Sequence, residues 1–188
     1  MFMKIAGEKI LLRDWQMQDL TTYVHWNTGH FAWMDYNGPY YDNLTQTELE
    51  ARVNRLRQLI LNNNFKHPRR EVVIADKNTN ELLGTVSWYW QSKETNWLSC
   101  GLVIYNNNYW GKGIGFDALK LWSTYLFNIM PEIVRLDMRT WSGHSGMMRL
   151  AEKLGYKLEA RFRNARIVNG QFYDSIGYGV LRSEWKWF

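Results

Sequence analysis

A single cysteine, Cys100, is all the thiol this 188-residue chain carries. One cysteine closes no internal disulfide, which excludes a cross-linked scaffold and makes a reducing, cytoplasmic setting the expectation. Cys100 lies in an apolar run, so a small buried hydrophobe is the default reading and a nucleophile the minor one. No apolar run of about 18 residues occurs, so no membrane span is expected. The start, Met1 to Glu8, lacks the apolar stretch of a signal peptide. Dense basic runs are scarce too. The formal charge of +5 and pI of about 9.3 admit a nucleic acid or an anionic cofactor as partner. The densest basic group, Lys66-His67-Pro68-Arg69-Arg70, is short and interrupted by Pro. It reads as a solvated loop, and no nucleic-acid partner is expected. There is no internal repeat, linker or low-complexity segment.

What is plentiful is aromatic: 11 Trp and 11 Tyr, enough for a core, a homodimer surface or a ligand pocket. Lys9 to Arg13 reads as a first strand and Asp14 to Trp26 as a helix with Leu20, Tyr23 and Val24 inward. His30 to Asp42 reads as an aromatic loop. Thr45-Gln46-Thr47-Glu48 is a capping box, and Leu49, Val53, Leu56 and Ile60 continue one helical face to Asn62. Glu71–Asp76, Leu82–Trp90 and Trp97–Ile104 read as a meander of strands. A helix follows, stopped before Pro131; then a strand Arg135–Thr140 and a helix Ser145–Leu154 with Gly155 behind it. Lys157–Ile167 and Gln171–Leu181 flank Asn169-Gly170, a hairpin signal. One α+β domain with a mostly antiparallel sheet accounts for this pattern.

Trp110-Gly111-Lys112-Gly113-Ile114-Gly115 crowds three glycines at the mouth of the helix after Ile104. A helix mouth offers free backbone N–H groups and the positive end of the helix dipole, and glycine lets an anion reach the main chain. Lys112 adds a positive charge. A Walker loop is absent, and the spacing of Gly111, Gly113 and Gly115 fails the dinucleotide fingerprint. A tight turn without a ligand is the alternative. The following helix repeats Ile114, Ala118, Leu121, Tyr125 and Ile129, widened by Leu119, Trp122 and Leu126. Such a stripe packs on a sheet and would hold the loop still.

With these residues in view, the chain resembles the GNAT superfamily of acetyl-CoA-dependent N-acetyltransferases, and within it the branch acting on ribosomal-protein N-termini. The family's pyrophosphate motif is Gln or Arg, two residues, Gly, one residue, Gly or Ala; Trp110 to Gly115 matches with Trp in first place. Trp141 to Tyr156, ending Glu152-Lys153-Leu154-Gly155-Tyr156, resembles a second family block, and Arg163 with Asn169 to Asp174 and Leu181 to Trp185 a third. The likeness spans about Lys9 to Trp185 and implies one domain over residues 1–188. It implies a mixed, mostly antiparallel sheet of about seven strands with helices on both faces. Strands Trp97–Ile104 and Arg135–Thr140 would run parallel and splay apart. Acetyl-CoA would lie in that gap as cosubstrate, its pantetheine along Leu102, Val103 and Ile104, its pyrophosphate on the amides of Trp110, Gly111, Lys112, Gly113, Ile114, Gly115 and Phe116. No metal is implied.

The reaction implied is attack of a neutral primary amine on a thioester, which calls for a proton acceptor, a donor to the oxyanion and a donor to the departing sulfur. The family's usual acid and base positions hold Ser99, Met147 and Ala151 here, and His144 stands where Asn is common. His144 is then the first candidate for proton relay or CoA contact, its alternative being a helix cap. Asp174 is a second candidate base, with Glu159 beside it, and Tyr109 or Tyr105 a donor to sulfur. Trp26, Trp33, Tyr36, Trp88 and Trp90 are candidate walls of an amine pocket. A peptide N-terminus, an aminoglycoside and a polyamine all fit as acceptor. A CoA-binding sensor or interaction module of the same fold that has lost catalysis is the alternative function.

Overall fold

Alternating side chains set up two faces of one sheet. The computed structural model describes residues 2–186, so the ends of the expected domain lie outside it. β2 (Ile10–Arg13), β3 (Glu71–Asp76), β4 (Leu82–Ser92) and β5 (Trp97–Ile104) pair antiparallel in that order. Ile10, Leu12, Val72, Ile74, Val86, Trp88, Leu98 and Cys100 enter one core, while Leu11, Val73, Ala75 and Tyr105 enter another. That division is the period-two pattern of a sheet buried on both sides. β1 (Lys4–Ala6) adds to β2; three residues without an apolar run gave no sequence signal. β6 (Arg135–Trp141), β7 (Lys157–Val168) and β8 (Gln171–Leu181) complete eight described strands in the order β1-β2-β3-β4-β5-β6-β8-β7. Only the β5–β6 pair is parallel.

α3 (Ile114–Ile129) covers the first core, against β2, β4 and β5. Its buried line runs through Ile114, Ala118, Leu119, Trp122, Leu126 and Phe127. Leu121, Tyr125 and Ile129, expected at the centre of the stripe, sit half-buried at its edge. α1 (Asp19–Trp26) and α2 (Gln46–Leu61) pack together over the second core. The capping box forms as written: Thr45 Oγ1 accepts from the Glu48 amide at 3.3 Å, and Glu48 Oε2 accepts from the Thr45 amide at 2.9 Å. α4 (Ser145–Lys153) lies against β6 and β7.

Two expectations are corrected. The first helix begins at Asp19 rather than Asp14, because the intervening residues are held by buried ion pairs. Arg13 Nη1 donates to Asp19 Oδ2 at 2.7 Å, and Arg69 Nε to Asp14 Oδ1 at 2.7 Å. Val24 is 37% exposed, on the outer side of the shortened helix. The same pairing corrects the solvated-loop reading of Lys66 to Arg70: Arg69 is only 8% exposed, while Lys66, His67 and Arg70 stay in solvent. A guanidinium this buried needs a partner, and Asp14 is that partner.

The splay that positions the site is explicit in the register. β5 and β6 pair only at Trp97↔Arg135, Leu98↔Leu136 and Ser99↔Asp137. Beyond Ser99, β5 stays on β4 while β6 stays on β8, so a cleft opens between Gly101 and Thr140.

Candidate functional site

The glycine loop closes one end of the cleft. Trp110 Nε1 donates to the Ile104 carbonyl at 3.0 Å, tying the loop back to the strand it leaves. Gly111 (φ +71°) and Gly113 (φ +86°) take the left-handed conformation, which costs an L-residue about 1–2 kcal/mol. Gly113 is the N-cap of α3, and its carbonyl accepts from Asp117 N at 3.0 Å. The amides of Ile114, Gly115 and Phe116 therefore have no acceptor within the helix. Gly115 serves packing: a Cβ there would lie 3.2 Å from Leu150 Cδ2 and 3.4 Å from Leu102 Cδ1. Asp117 anchors this end, accepting from Lys9 N at 2.8 Å, while Lys9 Nζ donates to the Lys112 carbonyl at 2.7 Å.

A cavity of about 490 Å3 runs from this loop along β5 to α4. Leu102, Val103, Ile104, Tyr109, Trp110, Gly111, Gly113, Gly115 and Phe116 line it, with Arg149 and Lys153 across the way on α4. Lys112 and Ile114 of the expected set do not. Lys112 points to solvent with Nζ 5.9 Å from the Tyr109 ring, and the Ile114 side chain is buried in the core, leaving only its amide at the helix mouth. The lining suits a pyrophosphate carrier: free amides and left-handed glycines at one end, apolar strand along its length, two cations near the helix mouth.

A second cavity, about 950 Å3, lies on the face covered by α1 and α2. The two share Trp33, Tyr36, Asn37, Leu102, Val103, His144 and Met147, so they meet where the strands part. Tyr36 is the hub of that junction. Its carbonyl accepts from Trp141 Nε1 at 3.1 Å, and its ring lies 5.5 Å from Trp110 and 5.0 Å from His144. His144 caps α4, with Nδ1 accepting from Met147 N at 3.4 Å, and burial pulls its pKa down to about 4. It is a neutral ring at neutral pH, weak as a proton acceptor on its own.

Of the expected acceptor walls, Trp33 and Tyr36 line the second cavity. Trp26 stands behind them, its carbonyl accepting from Trp33 Nε1 at 2.9 Å and its ring stacked on Tyr105. Trp88 and Trp90 are corrections: both face the α3 core, and Trp88 Nε1 donates to the Arg69 carbonyl at 2.7 Å. The period of two puts the intervening residues, Ser87, Tyr89 and Gln91, on the cavity side. Asp174 is corrected as well. Its carboxylate is bound by Arg161 Nε at 2.5 Å and the Asn164 amide at 3.0 Å, which hold its pKa below the usual carboxylate range, away from both cavities. Glu159 pairs with Arg135. Tyr109 lines the coenzyme-sized cavity near the glycine loop but not the larger one. Cys100 is buried with Sγ 3.7 Å from Tyr156 Oη, and burial pushes its thiol up to about 12, so it offers no thiolate.

Side chains that sequence reasoning missed are polar ones on the cavity face: Tyr23, Glu71, Thr85, Ser87 and Tyr89. Tyr105, weighed only as a donor to sulfur, stands in this second cavity. Burial raises the phenols of Tyr23 and Tyr105, so both stay protonated. Ser99 donates to Asp137, whose pKa burial raises. The signal for Glu71, Ser87 and Tyr89 was there in the alternation, since Val72, Val86, Trp88 and Trp90 beside them are apolar. Among the described residues no group of three or more His, Cys, Asp or Glu is placed to hold a metal ion. None of the described helices is long and apolar enough to cross a membrane.

Comparison with known proteins agrees with this geometry. The family model for an acetyltransferase (GNAT) domain matches residues 9–157. The chain is 20% identical over 178 residues to N-acetyltransferase p20 of Bacillus licheniformis, itself uncharacterised, covering 95% of this chain and 96% of that one. A GNAT-family acetyltransferase from Bacillus anthracis superposes with a TM-score of 0.75 at 20% identity, covering 97% of this chain and 100% of the other. The ribosomal-protein-S5-alanine acetyltransferase of Vibrio fischeri superposes with a TM-score of 0.71 at 21% identity, covering 98% and 99%.

Proposed function

Since the chain belongs to the GNAT acetyltransferase family, we propose that it moves an acetyl group from acetyl-CoA to a primary amine, a protein N-terminus or a small molecule, by direct attack in a ternary complex. The observation carrying this reading is the meeting of two cavities at Leu102, Val103 and His144, one built for a pyrophosphate thioester and one open to an acceptor. The amides of Ile114, Gly115 and Phe116 and the left-handed glycines hold the pyrophosphate, and Leu102 to Ile104 carry the pantetheine. CoA supplies the activated acetyl group when bound. The strand amide of Leu102, turned away from β4 and free of β6 at this point, orients the carbonyl and stabilises negative charge on its oxygen. Trp33 and Tyr36 close the junction, which excludes water and raises the effective concentration of the amine. His144 holds α4 in place at the junction and presents an uncharged ring there.

An amine-panel screen with acetyl-CoA, read by mass spectrometry, tests the reading. Acetylated product from at least one primary amine is the expected outcome, with loss of product when Gly113 is replaced. A second reading has its own support: His144 is engaged as a cap and Asp174 as an ion-pair partner, so a chain that binds CoA without turnover fits them as well. CoA binding with no thiol release over the whole panel would select it.

A further inference from the structure

The acceptor cavity contains a carboxylate aligned with the opening of the splay. Glu71 pairs with Ser87 across β3–β4, and Ser87 with Gly101 across β4–β5. Residues directly opposite share a sheet face, so the three stand in one row, with Glu71 and Gly101 about 10 Å apart at Cα. Gly101 lies two residues beyond the last β5–β6 pair, and a Cβ on it would meet nothing within 4 Å. The row thus leads from a carboxylate, past a hydroxyl, to open space beside the strand that carries the junction.

Glu71 is held for this task. Trp15 Nε1 donates to its Oε1 at 3.2 Å, and Arg52 from α2 pairs with the same oxygen. Among the described residues no hydrogen bond falls on Oε2. The groups around it are Tyr23 on α1, Arg52 on α2, Trp15 before α1 and Tyr105 beyond β5, with Arg55 nearby along α2. Neither phenol ionises near neutral pH, and Arg52 is paired with Oε1, so Oε2 is the unengaged oxygen of a carboxylate that lines the cavity. Asp42, the other carboxylate of the lining, sits on the exposed 36–44 loop.

We propose that Glu71, acting through one or two waters beside Ser87, is the proton acceptor for the acetyl transfer proposed above, on which this inference rests. The neutral amine nitrogen bonds to the thioester carbonyl carbon, and its surplus proton passes along the waters to Oε2. The carbon–sulfur bond breaks, the electron pair leaves on sulfur, and the proton held by Glu71 returns through solvent to the thiolate. Amide and free thiol are the products, and the carboxylate is regenerated.

The test uses the full chain with acetyl-CoA and whichever amine the panel identifies. Glu71→Gln is expected to lower kcat at least 100-fold, with acceptor KM and CoA Kd within threefold of the parent. Glu71→Ala is expected to regain tenfold or more in kcat on addition of formate, which a purely structural role would not give. Arg52→Gln keeps the acceptor oxygen and is expected to stay within tenfold. If Glu71→Gln alone does not fold because Arg52 is left unpaired, the pair Glu71→Gln with Arg52→Gln carries the same expectation. A Glu71→Gln enzyme within threefold of parental kcat overturns the proposal, as does a rise in KM with kcat unchanged, which would make Glu71 an anchor for the amine. A parent chain that acetylates no amine overturns the acetyl-transfer reading and this proposal together, whereas an active parent with an active variant overturns this proposal alone.

Discussion

The two cavities that meet at the splay are made of different materials. The groove at the glycine loop offers main-chain groups: free amides at the mouth of α3, two left-handed glycines, and strand edge from Leu102 to Ile104. The second cavity offers side chains: Tyr23 from α1, Glu71 from β3, Ser87 and Tyr89 from β4 and Tyr105 just after β5, with Trp33 and Tyr36 at the junction. A site built on main-chain groups tolerates replacement of most side chains. A side-chain site can be rebuilt for a new acceptor without disturbing the first. Four experiments separate the two.

The largest effect is expected in the groove. Gly113→Val places a branched side chain at φ +86° at the mouth of α3 and should weaken CoA binding by 100-fold or more in calorimetry. The strain of order 1–3 kcal/mol should lower the melting temperature by several degrees without loss of the folded spectrum. Unchanged CoA affinity would break the comparison at its first term.

Next comes the junction. The His144 pKa is depressed from 6.5 to about 4 in the folded chain. Between those values the unfolded chain binds more protons than the folded one, so stability falls as the pH drops from 6.5 towards 4 and is flat above 6.5. The full shift would correspond to about 3 kcal/mol, and partial exposure leaves of order 1–2 kcal/mol. Denaturant melts of His144→Ala should lack that share of the pH dependence, and its turnover should fall with CoA affinity little altered. Turnover equal to the parent's would leave His144 as a helix cap only.

On the acceptor side the effects are smaller and selective. Tyr105→Phe removes a buried hydroxyl beside Thr85 in the cavity and should cost about 1 kcal/mol of stability or less. Acceptor KM should change severalfold with CoA affinity unaltered; equal effects on both would erase the distinction between the cavities. The smallest kinetic effect is expected at Trp88. Trp88→Phe loses its bond to the Arg69 carbonyl and should melt about 1–2 kcal/mol easier, yet leave the kinetics of both substrates unchanged, because its ring faces the α3 core. An altered acceptor KM would put it back in the cavity wall.

The same contrast explains what could be read in the sequence. The groove was legible because local rules govern it: three glycines at a helix mouth, a strand before them and a broad apolar stripe after them. Strand boundaries at Glu71–Asp76 and Trp97–Ile104 came out to the residue, because turn-forming residues bracket each run. The acceptor cavity was not legible in that way. Its residues come from α1, β3, β4, β5 and the loop before α2, and the register Glu71↔Ser87↔Gly101 aligns the strand members. Trp88 and Trp90 lie one residue out of phase with the cavity face of β4, and one residue of phase decides the face in a strand. Asp174 and Arg69 failed for a related reason, since the partners that neutralise them lie 13 and 55 residues away. β1 is too short to announce itself, and the splay itself is a tertiary fact, carried by where β6 leaves β5 for β8.

The most direct test is a crystal structure of the chain with coenzyme A bound. The diphosphate should rest on the amides of residues 113–116, with the pantetheine along Leu102 to Ile104 and the sulfur within reach of the Tyr36–His144 junction. A diphosphate bound elsewhere, or a sulfur directed away from the cavity that holds Glu71, would contradict the account.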